Sequence, residues 1–217
     1  MSNNPDDASN ARKWLEIAEW TVFQQLSLWP TFERSSGEVS GTLLRDKLRL
    51  LQSALLICTV QHWEGLKESK ERIRDQRFPA VVAAARDLGF DLAKHSADLD
   101  LDQKYIDWPR YVLNEELIRT HTYIFLFDSQ YAIFHGVPPR IKLSELNMTL
   151  PYPEPCFRAS TGDELLLILQ ELGDPPIRNN TIRNLVELLC SEHDNHTKLQ
   201  DMAGMSVLGL VTLIVGQ

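Results

Sequence analysis

The sequence predicts an all-α protein, and two observations support that prediction. Leucines recur at the spacing of one helix face, and long alternating runs of β-branched residues are scarce. The 217 residues are 43% hydrophobic and 24% charged, an ordinary composition for a globular protein. We therefore expect a single multi-helix bundle domain that is crossed by an extended Pro-rich strap.

Three helices are predicted in the first part of the chain. The first carries a rough apolar stripe that consists of Trp14, Ile17, Ala18, Phe23 and Leu26. Ser9 or Asn10 can cap this helix, and Pro30 marks its end. The second helix, about residues 42–64, has one leucine face made of Leu44, Leu48, Leu51 and Leu55. The stretch "FPAVVAAARDLGF" predicts a third helix, with Gly89 at its C-terminal end.

The longest apolar run extends from Ile118 to Phe134 and contains the acid Asp128. A helix that is apolar on all sides belongs at the centre of a domain. A buried carboxylate is costly unless it is paired, so we expect Asp128 to have a basic or hydrogen-bonding partner. Arg119 lies nine residues earlier and points elsewhere on a straight helix, so this partner must come from another segment.

Prolines predict that an extended strap follows this helix, because each of them interrupts helical hydrogen bonding. The prolines are Pro138, Pro139, Pro151, Pro153 and Pro155. The expected apolar anchors of the strap are Ile141, Leu143, Leu146 and Leu150. Further helices are predicted at about 161–172, 179–192 and 197–215. The stretch 202–216 carries no charge over 15 residues, fewer than the roughly 20 that span a bilayer, so we expect a buried core helix there and a fold truncated where the chain stops.

Charge and cysteine content exclude several classes of function. A net charge of −8 argues against direct nucleic-acid contact by this chain, because phosphate binding needs a basic face. The cysteines Cys58, Cys156 and Cys190 are dispersed and form no CxxC pair, so neither a disulfide framework nor a thiolate zinc site is indicated. The polar N-terminus does not have the pattern of a secretory signal.

No catalytic, cofactor-binding or metal site is predicted from the motifs. The stretch "GMSVLG" around Ser206 approaches a nucleophile elbow, but Leu208 stands where glycine is required. Cys190, His193 and His196 are spaced by three, so one helix could present them as metal ligands. The same residues also fit the polar end of a helix, which is the interpretation we favour.

Four stretches occur in an order that is more specific than any one of them: "LLRDKLRLLQSALLICTVQHWEG", "VVAAARDLGF", "WPRYVLNEELIRTHTYIFLFDSQYAIFHGVPPRI" and "LSELNMTLPYPEPCFRA". Together they resemble the middle homology region of fungal-specific transcription factors, the regulatory domain of zinc-cluster and Cys2His2-type regulators. The resemblance is strongest over residues 42–160. The residues that hold the matching places are Trp108, Glu116, Arg119, Asp128, Gly136, Pro138 and Pro139.

The resemblance implies that residues 1–217 form a regulatory domain of a nuclear protein that controls RNA polymerase II transcription. It implies that Glu116, Arg119 and Asp128 brace helices through buried contacts. Threonine follows Arg119 where the family usually has a second arginine, and the three cysteines cannot build a zinc cluster or finger. Zinc and DNA binding would therefore come from a module outside this chain.

The same resemblance implies particular partners. We expect proteins of the transcription machinery, allow a small-molecule effector and a homodimer, and expect no membrane. Two alternatives stay open: a small all-α metal-binding enzyme of secondary metabolism that uses Cys190, His193 and His196, and an adaptor anchored to a membrane by its C-terminal tail.

Overall fold

The computed structural model describes residues 5–28, 41–95, 106–172, 180–190 and 205–216. Its regular elements are helices, which confirms the all-α prediction. They are α1 (Pro5–Ser27), α2 (Gly41–Glu64), α3 (Lys67–Arg72), α4 (Phe78–Leu88), α5 (Trp108–His135), α6 (Glu154–Arg158), α7 (Gly162–Leu172), α8 (Ile182–Cys190) and α9 (Val207–Val215).

The chain divides into two compact units, residues 1–88 and 89–217. The first contains α1 to α4, and the second contains α5 to α9. The prediction that the whole chain forms one regulatory domain stays a prediction.

In the first unit, α2 provides the central apolar face. Leu48 and Leu51 are completely buried, as the leucine spacing predicts, whereas Leu44 and Leu55 are half-buried. Burying a leucine contributes roughly 1.5–3 kcal/mol, so these two leucines help to stabilise the unit.

Helix α1 differs from its prediction in two ways. It begins at Pro5, so neither Ser9 nor Asn10 is its N-cap. The predicted stripe is only half correct: its last two members, Phe23 and Leu26, are buried, while the others are exposed. The exposed members of the stripe are Trp14, Ile17 and Ala18.

A π-helical turn, Ile73–Arg77, joins α3 to α4. Pro79, one residue into α4, has no N–H to give, and its ring would clash with the carbonyl four residues earlier in a regular helix. The wider turn removes this conflict, and the N–H of Phe78 bonds the carbonyl of Ile73 five residues back. The chain therefore remains helical from α3 through α4 in spite of Pro79.

The second unit is organised around α5, a helix of 28 residues and roughly 42 Å. The side chain of Asp107 accepts the N–H of Arg110 and caps its start, and Pro109 occupies the first turn. Gly136 ends the helix with a φ of 62°, a left-handed conformation that glycine adopts without strain. Most of α5 is buried as predicted, although Tyr123, Ile133 and Phe134 are exposed.

The segment after α5 is the extended strap that the prolines predict, interrupted by a short 3-10 turn at Leu143–Glu145 and ending at α6. The predicted anchors Ile141, Leu146 and Leu150 are buried, whereas Leu143 is half-buried. Two further residues that we did not predict, Met148 and Tyr152, are also buried. An isolated antiparallel bridge joins Thr149 to Thr181, immediately before α8.

Helix α7 agrees with its prediction to within one residue, whereas α8 begins at Ile182 and α9 at Val207, both later than predicted. Residues 191–192 and 197–204 of the predicted helices lie outside the described residues. Helix α9 is not the buried core helix that the uncharged sequence indicated. Thr212 and Leu213 are buried, while the opposite side exposes Leu210, Val211 and Ile214. Among the described residues, we find no helix with the length and apolar character needed to cross a membrane.

Candidate functional site

The most elaborate polar cluster lies in the second unit, where α5 holds the end of the strap. Arg119 donates from Nε to Glu115 Oε1 at 2.8 Å and from Nη2 to the carbonyl of Tyr152 at 2.8 Å. The N–H of Tyr152 donates to the same carboxylate oxygen of Glu115 at 3.1 Å. This ion pair therefore satisfies both backbone groups of Tyr152, which would otherwise be buried without partners.

His95 approaches the same cluster from the segment before α5. Its Nε2 lies 2.8 Å from the carbonyl oxygen of Leu150, so Nε2 carries the hydrogen because a carbonyl only accepts. Its Nδ1 lies 3.9 Å from Glu115 Oε2, and its ring packs on Tyr152 at 4.0 Å between centroids. Three side chains thus fix strap residues 150–152.

The burial of Glu115 has an electrostatic consequence. Burial raises the pKa of Glu115 to about 7, although the charge and hydrogen bond of Arg119 oppose the shift. Arg119 also lies over the ring of Phe157, with its guanidinium carbon 4.0 Å from the ring centroid. Arg119 therefore makes both hydrogen bonds and an aromatic contact within the cluster.

Asp128 fixes the beginning of the strap. Its Oδ2 accepts the backbone N–H groups of Arg140 and Ile141 at 2.6 and 2.8 Å. Its Oδ1 lies 3.6 Å from Nη1 of Arg140, an ion pair that is shielded because the aspartate side chain is 1% exposed. The partner therefore comes from another segment, as expected, and consists largely of main chain.

The other residues of the resemblance lie around α5 in different roles. Trp108 begins the helix and stacks on Tyr111, with 5.5 Å between ring centroids. Gly136 forms the C-cap, while Pro138 and Pro139 are exposed at the start of the strap. The structure thus distributes these residues along the helix and its exit rather than around one cavity.

Glu116 does not have the buried bracing role that we predicted for it. It is half-buried, and its backbone carbonyl accepts the hydroxyl of Thr120. The neighbouring Glu115 is the buried acid that binds Arg119. Both glutamates are close enough to Arg119 in sequence, and the helix rotation of 100° per residue decides which one faces inward.

A third buried carboxylate, which lies in the first unit, was not predicted. Glu19 is 2% exposed on α1 and accepts hydrogen bonds from Arg72 at 2.7 and 2.9 Å, from Arg77 at 2.9 Å and from Gln61 at 3.2 Å. Burial by itself would raise the pKa of Glu19, but the hydrogen bonds and charges of the two arginines hold it below its ordinary value.

The two buried cysteines, Cys58 and Cys156, lack the properties of nucleophiles. Burial raises the pKa of the Cys156 thiol to about 11, and burial with the charge of Glu19 raises that of Cys58 further. A thiol with a raised pKa holds its proton at neutral pH and reacts slowly. Cys190 is exposed at the end of α8, and its proposed metal-binding companions His193 and His196 lie outside the described residues. Where the structure is described, no three potential metal ligands converge.

Comparison with known proteins gives one informative similarity. The chain is 39% identical over 166 residues to a protein named transcription factor verF from Penicillium polonicum. The match covers 76% of this chain but 22% of that protein, so the chain spans about a fifth of the length of the curated relative it matches. No family model matches the chain, and no solved structure is significantly similar to it.

Proposed function

We propose that this chain is a regulatory segment of a fungal transcription factor that acts in the nucleus on RNA polymerase II transcription. The observation that carries the proposal is the 39% identity to a protein named as a transcription factor, which extends over three quarters of this chain. DNA binding and zinc would belong to a module outside these residues, because the net charge of −8 does not suit a phosphate-binding surface.

The polar clusters support a regulatory rather than a catalytic role. The ion pair of Glu115 and Arg119 is directed at the backbone of Tyr152, and Asp128 is directed at the backbone of Arg140 and Ile141. Catalytic groups must instead present an atom to a substrate within hydrogen-bonding distance. In this proposal the two clusters fix the shape of a helical surface on which proteins of the transcription machinery dock.

A reporter assay tests the proposal. Residues 1–217 are fused to a heterologous DNA-binding module and expressed in a fungal host with a reporter gene that carries the matching sites. We expect reporter transcription to change severalfold relative to the DNA-binding module alone. A decrease and an increase would both support regulation, and the direction would assign repression or activation.

Two controls make the result interpretable. A reporter without the binding sites should not respond, which separates local regulation from general toxicity. Immunoblotting and limited proteolysis should show that the fused chain is present and folded at the level of the module alone. If a folded, abundant fusion leaves the reporter unchanged, the proposal is wrong.

A further inference from the structure

A cavity of about 490 Å³ lies in the first unit between α1 and α4, two helices that both pack on α2. Sites for small molecules are concave and have volumes of roughly 300–1,000 Å³, so the cavity has the size of a ligand site. Its lining includes Phe23 and Leu26 of α1, Arg77 at the end of the π turn, and Ala80, Ala84 and Asp87 of α4.

The middle of the cavity is apolar. Phe23 and Leu26 are 4% and 8% exposed and form its wall on α1. On the opposite wall, Ala80 and Ala84 lie four residues apart and share one side of α4. Their methyl groups are short and leave the groove unfilled. A ligand with an apolar body would cover these side chains and remove apolar surface from water, which favours binding.

The end of the cavity at Arg77 carries an excess of positive charge. The buried acid Glu19 is the shared acceptor of Arg72 and Arg77, so two positive charges face one negative charge and the net charge is +1. The two arginines hold the pKa of Glu19 below its ordinary value, which keeps this acid ionised at neutral pH. An anion beside this cluster would neutralise the remaining positive charge.

Arg77 can present this charge to a ligand. Arg72 donates from both Nε and Nη2 to Glu19, whereas Arg77 donates from Nε at 2.9 Å. The terminal Nη groups of Arg77 carry four further N–H donors, and two of these can bind a carboxylate in parallel. The guanidinium carbon lies 4.9 Å from the ring centroid of Phe23, and the side chain is 29% exposed. Arg77 is thus held in position and still reachable from the cavity.

The charges at the opposite end of the cavity compensate each other. Asp87 lies ten residues after Arg77, which is roughly 15 Å along a helix. Lys47 Nζ lies 3.7 Å from Asp87 Oδ2, and the lysine side chain is 7% exposed, so its charge acts mainly on this acid. A second anionic group on the ligand would meet Asp87 and be repelled. The fitting ligand therefore carries its negative charge at one end.

We propose that this cavity binds a small organic monocarboxylate, whose carboxylate lies on the Nη groups of Arg77 and whose aromatic or aliphatic body lies against Phe23 and Leu26. Inorganic anions fit poorly, because they would leave the apolar walls in water. Dicarboxylates fit poorly as well, since their second charge approaches Asp87. The length from Arg77 to Asp87 limits the ligand to about 15 Å.

Titration of the purified 217-residue chain at neutral pH, followed by saturation-transfer NMR, tests the proposal with 2-naphthoate and octanoate as probes. We expect one or both carboxylates to bind with a Kd of about 0.1–1 mM, the range for ligands of about ten to thirteen heavy atoms. The matched neutral compounds, 2-naphthamide and octanamide, should bind at least about fivefold more weakly, because they lack the charge that pairs with Arg77. A preference for either carboxylate supports the proposal and identifies the body as aromatic or aliphatic.

Ala80→Leu tests the location of the site. Ala80 is exposed, so a leucine there fills the cavity beside Arg77 without overpacking the core. We expect it to weaken the binding of both carboxylates at least about fivefold, since it occupies the space of the ligand body. Ala18→Leu is the matched control: Ala18 is exposed on α1 outside the cavity lining, and its replacement should leave the Kd unchanged. Circular dichroism and a thermal melt should show that both variants fold.

Arg77→Gln tests the charge. It should remove the preference for carboxylate over amide, because glutamine carries no positive charge. Arg72→Gln is the control within the same cluster: it removes an equal charge and contacts to the same acid, but Arg72 is not among the residues that line the cavity. This variant should keep most of the preference.

Three results would overturn the proposal. They are the failure of both carboxylates to bind at concentrations up to roughly 5 mM, equal binding of acids and amides by the wild-type chain, and wild-type affinity in Ala80→Leu. Should Arg77→Gln fail to fold, the amides and Ala80→Leu still decide the outcome. All of these measurements use the purified chain without a reporter gene, so the ligand site and the proposed function can fail independently.

Discussion

At the scale of single residues, Asp128 accepts hydrogen bonds from backbone groups that the neighbouring prolines keep out of regular secondary structure. Pro138 and Pro139 prevent the chain after α5 from pairing its backbone in a helix or a sheet. The N–H groups of Arg140 and Ile141 therefore need another acceptor, and the Asp128 carboxylate provides it. Sequence reasoning could predict that a lone buried acid needs a partner, but it could not identify backbone groups, because every residue except proline carries an N–H.

Replacing Asp128 should therefore destabilise the protein. We expect Asp128→Ala to lower the free energy of unfolding by about 3–5 kcal/mol, since it leaves two N–H groups without an acceptor and Arg140 without its counter-ion. Asp128→Asn should cost less, because its amide oxygen still accepts a hydrogen bond. Urea denaturation measures both values.

The exposed aspartate Asp46 offers a control for this prediction. It lies 3.8 Å from Arg49 with 74% of its side chain exposed, so Asp46→Ala should change the free energy of unfolding by less than about 0.5 kcal/mol. If Asp128→Ala has an equally small effect, the described hydrogen bonds contribute little and the structural role assigned to Asp128 is wrong.

At the scale of elements, the π turn explains why an acid, Glu19, lies on the buried side of α1. Arg72 and Arg77 are five residues apart, so a regular helix would rotate them by 140° and separate them. In a turn with i to i+5 hydrogen bonds they come to the same side, and both reach Glu19 Oε1, at 2.7 and 2.9 Å. A helical period of 3.6 residues could not reveal this arrangement. We therefore expected Trp14 on the buried side of α1 and did not predict that Glu19 is buried.

This cluster predicts that replacing the buried residue Glu19 has a large effect on stability. Glu19→Ala should lower the free energy of unfolding by about 2–4 kcal/mol, since it removes the shared acceptor of two arginines and Gln61. The loss should fall short of that for a fully buried pair, because the arginine side chains are about 30% exposed and can bind water. Urea denaturation provides the measurement.

Glu16 gives the comparison on the same helix. It is an exposed acid one turn before Glu19, and Glu16→Ala should change the free energy of unfolding by less than about 0.5 kcal/mol. Equal effects of the two substitutions would show that general acidity of α1, and not the hydrogen-bonded cluster, determines its contribution to stability.

At the scale of the whole molecule, the features that could be predicted are those that depend on helical periodicity or on the local effect of proline. The leucine face of α2 and the strap could be predicted because each depends on local chemistry. The exposed side of α9 could not be predicted, since composition alone does not tell which neighbours cover a helix. Similarly, the choice of Glu115 over Glu116 depends on the rotation of α5 against the strap, a tertiary property.

The two buried glutamates give the molecule opposite responses to pH. Glu115, with its pKa raised to about 7, keeps its proton in the folded state at pH values where the unfolded chain, with a pKa near 4.5, has released it. Raising the pH from 4.5 to 7 therefore favours unfolding. Glu19 has a lowered pKa, so its contribution is present above pH 4.5 and is lost as the pH falls below that value.

Urea denaturation between pH 4 and 8 should separate the two responses. One pKa unit corresponds to about 1.4 kcal/mol. We therefore expect the free energy of unfolding of Glu115→Gln, relative to that of wild type, to rise by on the order of 2–3 kcal/mol from pH 4.5 to 7. The ionisable groups that face Glu115 are His95, Arg119, Glu154 and Tyr111, and all four are present in both proteins. Glu19→Gln should instead have a lower free energy of unfolding than wild type at pH 7, and this difference should become smaller at pH 4. Parallel curves for the three proteins would show that neither carboxylate is linked to folding in the way its surroundings require.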